Sequence, residues 1–236
     1  MFRILAKSAK RAEILIYGDI GPVFWGDEVS AADFAKTLKE AGDVDEIDLR
    51  INSLGGHVFD GVAIYQQLST HPAKINVRVD GIAASIASVI AMAGDRIEIA
   101  EAGMMMIHDA GTIVAGNAER MRKTADLLDK TSEQIAEVYV AKTGKKLDEI
   151  RTAMRAETWL TGKEAVEFGL ADAVIENKQA AENVASLKMD AERYGFSNPP
   201  AKLVARHSLA DMVAKQQVSI TMSRIAAKAT TAKPAR

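Results

Sequence analysis

"DGIAASIASVIAMAGDRIEI", residues 80–99, is the stretch on which the fold turns. Asp-Gly opens it as a loop, small and apolar residues then predict a tightly packing helix, and residues 96–100 alternate as a strand. Two serines, Ser85 and Ser88, stand at the start of that helix and one turn deeper. Serine at a helix start is most often a cap. The same position also faces unpaired N–H groups and the positive end of the helix dipole, which favour negative charge on a substrate oxygen. The stretch alone leaves both readings open.

The pattern continues on both sides. Upstream, "EILIYG" (13–18) predicts a strand and "SAADFAKTLKEAG" (30–42) a helix with a serine start and a glycine stop. "EIDLRI" (46–51) is a second strand, "NSLGGH" punctuates it, and residues 58–71 place Val58, Val62, Tyr65 and Leu68 on one helical stripe. "KINVRV" (74–79) is a third strand. Downstream, "MMMIH" (104–108) predicts a strand and residues 117–142 one long amphipathic helix carrying Met121, Leu127, Leu128, Ile135 and Val138. A short helix at 147–154, a further helix within "TWLTGKEAVEFGLAD" and a last strand "AVIE" complete the body. Alternating strands and helices of this kind predict an α/β fold with a largely parallel sheet.

That body is expected to end at Glu176, giving a domain of residues 1–176 and an alanine-rich tail of residues 177–236, partly helical or flexible and broken at Pro199 and Pro200. Charge divides in the same place. Residues 1–175 carry 20 Lys and Arg against 27 Asp and Glu, and residues 176–236 carry 10 against 5. The tail's basic residues are dispersed rather than clustered, which argues for a solvated appendage and against nucleic-acid binding. With 236 residues and 48% apolar content, the chain can bury a substantial core. No apolar run reaches the ~18 residues a membrane span needs, and the opening "MFRILAKSAKRAEILIYG" is too interrupted for a secretory signal, so a cytoplasmic setting without membrane contact is expected. Cysteine is absent, which excludes disulfides, thiolate metal sites and a cysteine nucleophile.

Serine chemistry then needs a base, and there are four histidines. His71 precedes Pro72 in a turn and His207 lies in the tail, so both read as bystanders. His57, beside the glycine pair, stays open. His108 ends the strand "MMMIH", where α/β folds commonly place site residues. "INSLGGHV" fits no nucleotide-binding glycine pattern, and it reads as a tight turn or as backbone N–H groups presented to an oxyanion. The three methionines read as core. No H-E-x-x-H occurs and the carboxylates are spread along helices, so neither a metal nor a cofactor is expected.

Taken in order, "INSLGGHVFDGVAIY", "DGIAASIAS", "MMMIHDAG" and "AETWLTGKEAVEFGLAD" resemble the ClpP family of serine peptidases over about residues 13–176. "IYGDIG", "AGD" and "ETWLT" bring the likeness nearest to phage and prophage ClpP-like head maturation proteases. The resemblance implies a ClpP/crotonase-like fold of stacked βαβ units with a long protruding handle helix at residues 117–142. It implies Ser85 as nucleophile, His108 as base, Glu157 as the acidic member where the family usually has Asp, and Gly56 and Ile86 as oxyanion donors. Asp109 is a poorly placed rival acid, and Ser88 becomes a packing residue. Leu54 replaces the usual proline of the glycine loop, and the longer N-terminal segment that forms axial loops in cellular ClpP is missing, which weakens the expectation of an ATP-driven AAA+ unfoldase partner.

The implied activity is a serine endopeptidase, ATP-independent or partner-assisted, working as a homo-oligomeric ring, with stacked rings, on protein or peptide substrates such as scaffold and capsid proteins. Its setting would be the host cytoplasm or a procapsid. A general ClpP subunit serving an unfoldase, a crotonase-type acyl-CoA enzyme and an inactive structural ring are the alternatives.

Overall fold

The computed structural model describes residues 2–7, 10–21, 30–175 and 196–200. The first strand, β1 (Phe2–Lys7), runs antiparallel to β2 (Arg11–Tyr17). From β2 the chain alternates: α1 (Ala31–Ala41), β3 (Glu46–Ser53), α2 (Val58–Ser69), β4 (Lys74–Ala84), α3 (Ile86–Ala91), β5 (Arg96–Ala100). Then follow β6 (Met104–Ile107), α4 (Ala118–Thr143), α5 (Leu147–Arg155), β7 (Thr158–Thr161), α6 (Gly162–Phe168) and β8 (Ala173–Ile175). All eight strands join one sheet in the order β1-β2-β3-β4-β5-β8, with β6 pairing β4 and β7 beyond it. Among the described residues, only the β1–β2 and β6–β7 pairs are antiparallel. The α/β architecture with a mostly parallel sheet is thus as expected. The strand at β1 and the short strand at β7 had no clear sequence signal.

Alternation explains the first half of the sheet. Ile47, Leu49 and Ile51 of β3 and Ile75, Val77 and Val79 of β4 turn inward, burying one face under the helices. Past Val79 the alternation stops, because every residue from Asp80 to Ala84 is buried. Asp80 and Gly81 are strand here, not the loop their types predict, and the helix after them is only six residues long. The cause is a fork. Residues 76–79 of β4 pair with β5, whereas Ile82, Ala83 and Ala84 pair with Met104, Met105 and Met106 of β6. A second apolar cluster of Leu54, Ile82, Ala84, Met104, Met106 and Phe196 covers the other face at that level.

Asp80 makes the extended path possible. Its carboxylate, 2% exposed, accepts from Tyr17 Oη at 2.7 Å and Arg50 Nε at 2.7 Å. Arg78 Nε lies 3.0 Å away but is poorly aligned for a hydrogen bond. Burial, with the bond to Asp80 adding to it, pushes the Tyr17 hydroxyl up to about 12.

Two helices differ from their sequence patterns. On α2 the buried residues are Gly61, Ile64 and Leu68, while Val62 is exposed. On α4 only the second half packs, through Ser132, Ile135, Ala136 and Tyr139, and Met121 and Leu127 face solvent. The first half projects as the handle reading expects. Among the described residues, no helix is long and apolar enough to cross a membrane.

Replacing Asp80 by Ala should lower stability by about 2–3 kcal/mol, below the ~3–5 kcal/mol of a fully enclosed pair because both arginines keep some solvent access. The midpoint of urea unfolding reads this out, and an unchanged midpoint would remove Asp80 from the account.

Candidate active site

The fork brings two strand ends together. Ala84 pairs with Met106, so the residues that follow them, Ser85 beyond β4 and His108 beyond β6, emerge side by side at the carboxyl edge of parallel strands. Ser85 N–H donates to Met106 O at 3.0 Å, fixing the register at that edge. The Ser85 hydroxyl then lies 2.8 Å from His108 Nε2. Ser85 occupies the N-cap position of α3, yet its side chain makes no capping bond. Its hydroxyl faces the imidazole instead.

The backbone at Ser85 is strained, with φ 54° and ψ −131°. Side chains rarely adopt this region, and a residue held there costs on the order of 1–3 kcal/mol. Among the described non-glycine residues, only Ser85 and Glu157 have positive φ. The support beneath Ser85 comes from Ser88, whose hydroxyl lies 2.6 Å from Ser85 O, 2.9 Å from Met106 O and 2.8 Å from the Tyr139 hydroxyl. Ser88 and Tyr139 are fully enclosed. Ser88 is therefore more than a small packing residue: its hydroxyl ties the turn at Ser85 to β6 and to α4.

The glycine loop closes on the same point. Gly55 has φ 100°, and a Cβ there would stand 2.8 Å from Ser85 Cβ and 2.8 Å from Ala84 O, so only glycine fits. The loop is pinned by Ile20 N–H to Gly55 O at 2.9 Å and His57 N–H to Ile20 O at 2.7 Å. Gly56 and Ile86 both line the cleft beside Ser85 and His108, a hollow of about 610 Å³. Their N–H groups find no protein acceptor among the described residues.

His108 is mostly buried, and that burial lowers its pKa, while Glu157 and then Asp109 pull it back upward. A neutral imidazole with Nε2 facing a hydroxyl can accept its proton. Glu157 is not on the imidazole. Its carboxylate, 6% exposed, accepts from Trp159 Nε1 at 3.1 Å and Asn198 N at 2.7 Å through Oε1, and from Ser197 N at 2.5 Å through Oε2. It makes neither a hydrogen bond nor an ion pair with His108. Asp109 is engaged by Arg151.

Of the remaining histidines, His57 caps α2 and pairs with Asp60 at 2.6 Å. His71 Nδ1 accepts from Ala73 N at 3.1 Å in its turn. His207 lies outside the described residues. Among the described residues, no group of three or more His, Asp or Glu side chains is placed to hold a metal ion.

Residues 8–178 match the Clp protease family profile. The chain is 30% identical to ATP-dependent Clp protease proteolytic subunit 1 of Protochlamydia amoebophila over 190 residues, 76% of this chain and 92% of that one. It is 32% identical to ATP-dependent Clp protease proteolytic subunit 3 of Rhodococcus jostii over 133 residues, 55% of this chain and 65% of that one. A solved ClpP1 mutant from Listeria monocytogenes superposes with a TM-score of 0.61 at 25% identity, covering 72% of this chain and 94% of that one.

The pH dependence follows from the groups around the imidazole: Ser85, Glu157, and Asp109 with its partner Arg151. Because burial lowers the His108 pKa, the acid limb of kcat/KM should lie below pH 6.5. Glu157→Gln removes the charge that raises it and should move the limb further toward acid. A limb at or above 6.5 in the unaltered protein contradicts the burial argument. Separately, Tyr139→Phe and Ser88→Ala should each cost about 1–3 kcal/mol of stability, since a buried polar group loses its partner. Each should also reduce kcat by about tenfold or less; a larger loss for Ser88→Ala than for Ser85→Ala would reverse their roles.

Proposed function

The chain belongs to the Clp protease family of serine endopeptidases, and within it we propose that Ser85 is the nucleophile, His108 the general base and Glu157 the acidic member. The observation that carries this is the 2.8 Å approach of the Ser85 hydroxyl to His108 Nε2 at a strained turn. Ser85 Oγ attacks the scissile carbonyl carbon as its proton passes to Nε2. The carbonyl oxygen becomes an oxyanion facing the N–H groups of Gly56 and Ile86. His108 then returns the proton to the leaving amine, and water, activated by the same imidazole, releases the acyl group from Ser85. Glu157 orients and balances the imidazolium when its carboxylate is turned toward Nδ1. No step requires a metal or cofactor.

The assembly is a homo-oligomeric ring, with the projecting half of α4 available to a facing ring, and the substrates are proteins or peptides. For the biological setting we favour processing of scaffold and capsid proteins during head maturation, on the strength of "IYGDIG", "AGD" and "ETWLT" and of the basic residues 177–236 as a link to scaffold. A second reading, a general proteolytic subunit fed by a AAA+ unfoldase, is favoured by the names of the curated relatives, which are subunits of ATP-dependent proteases. Degradation of a folded substrate only with ATP and a host unfoldase would select the second reading. Cleavage of scaffold in assembling proheads without ATP would select the first.

Ser85→Ala should lower kcat for peptide hydrolysis by at least ~10⁴, and Ser85→Ala with His108→Ala together should be no worse than either alone, since the set acts as a unit. Steady-state kinetics on a fluorogenic peptide decide it. Residual activity within tenfold in Ser85→Ala would remove Ser85 from the mechanism.

A further inference from the structure

Phe196 and Ser197 lie 20 or more residues beyond β8, yet they line the same cleft as Ser85 and His108, and Asn198 follows them onto Glu157. The Phe196 ring, 8% exposed, meets His108 edge to face at a centroid distance of 5.6 Å and Trp159 at 5.3 Å. Its floor is the second apolar cluster, with Leu54, Ile82, Met104 and Met106. The next two residues point their backbone N–H groups at the two oxygens of Glu157. Pro199 and Pro200 follow, and a residue before proline is held extended. The contact set is that of a docked peptide: one aromatic anchor, then two successive amides on one carboxylate.

Those amides have a consequence for catalysis. A carboxylate offers about four lone-pair sites. Three donors already hold Glu157, from Trp159, Ser197 and Asn198, and His108 Nδ1 is not among them. Phe196 meanwhile occupies apolar space directly against the imidazole.

We propose that the slot between His108 and Trp159, with Glu157 as its hydrogen-bonding hook, is a binding site for an extended segment led by an aromatic residue. Its resident ligand is Phe196–Asn198 of the same chain, and this occupancy holds Glu157 away from His108. The bound tail makes the cleft a serine and histidine pair without its acid. Release of the segment lets Glu157 turn to Nδ1. The inference rests on the serine peptidase reading above.

The test uses the full chain with Trp25→Phe, so that emission reports Trp159 alone. Phe196→Ala removes the anchor, and Ser197→Pro removes the N–H that reaches Oε2. Each should red-shift Trp159 emission and raise kcat/KM on a short fluorogenic peptide about ten- to hundredfold, the factor that burial of one aromatic ring, or one hydrogen bond to a charged group, supplies. An acetylated Phe-Ser-Asn-Pro-Pro peptide added to the Phe196→Ala protein should reverse both effects, and the same peptide with alanine in place of phenylalanine should not. Unchanged or lower kcat/KM in both variants, or no reversal by the peptide, overturns the proposal. If Trp159 responds but no variant hydrolyses peptide, and Ser85→Ala changes nothing, the serine reading has failed and the inhibitory role goes with it.

Discussion

Everything at the cleft depends on the length of β4. Had the strand ended at Val79, where its alternation ends, Ser85 would have no fixed place relative to β6. Because it runs five residues further and changes partner from β5 to β6, the residue after its end and the residue after Ile107 must emerge together. Parallel pairing then sets the separation of the hydroxyl and the imidazole by backbone hydrogen bonds rather than by flexible side chains. The electrostatic condition for that path is met at Asp80, whose buried carboxylate is matched by Tyr17 and Arg50.

Strain and support occur at the same points. A positive φ at Ser85 is unfavourable by on the order of 1–3 kcal/mol, and it persists because the surroundings over-determine it. Gly55 presses against the turn from one side, the Ser88 hydroxyl holds its carbonyl from below, and Met106 accepts its N–H. Tyr139 extends this support to α4, so the element implied to join rings is hydrogen-bonded, through Ser88, to the turn at Ser85. Glu157 shows the same kind of strain, but its support comes from Trp159 and from the tail. The difference separates an imidazole that meets the Ser85 hydroxyl from a carboxylate that is held off that imidazole.

Much of this was legible in the sequence wherever both ends of an element were punctuated. Ser30 and Gly42 bracket α1, Asn117 and Gly144 bracket α4, and Thr161 and Gly169 bracket α6, each close to its predicted bounds. What escaped were features decided by distant partners. Asp80-Gly81 has the composition of a turn, and only arginine and tyrosine side chains from other strands make it strand. Periodicity placed Met121 and Leu127 among the apolar members of α4 but could not say which turns have a body to pack on. The hydroxyl of Ser88 finds its partner 51 residues away in Tyr139, and Glu157 finds two of its donors 40 and 41 residues away. Serine, histidine and the glycine loop were found through a likeness of ordered motifs, because no one of those motifs was specific alone.

The central claim is that one hydroxyl, at a turn imposed by the fork of β4, is made reactive by the imidazole beside it. Treatment of the assembled protein with a fluorophosphonate, followed by mass mapping of the adduct, measures that reactivity at the residue itself. The account predicts a single adduct on Ser85 that disappears in His108→Ala. An adduct on another residue, or labelling of Ser85 that is indifferent to His108, would contradict it.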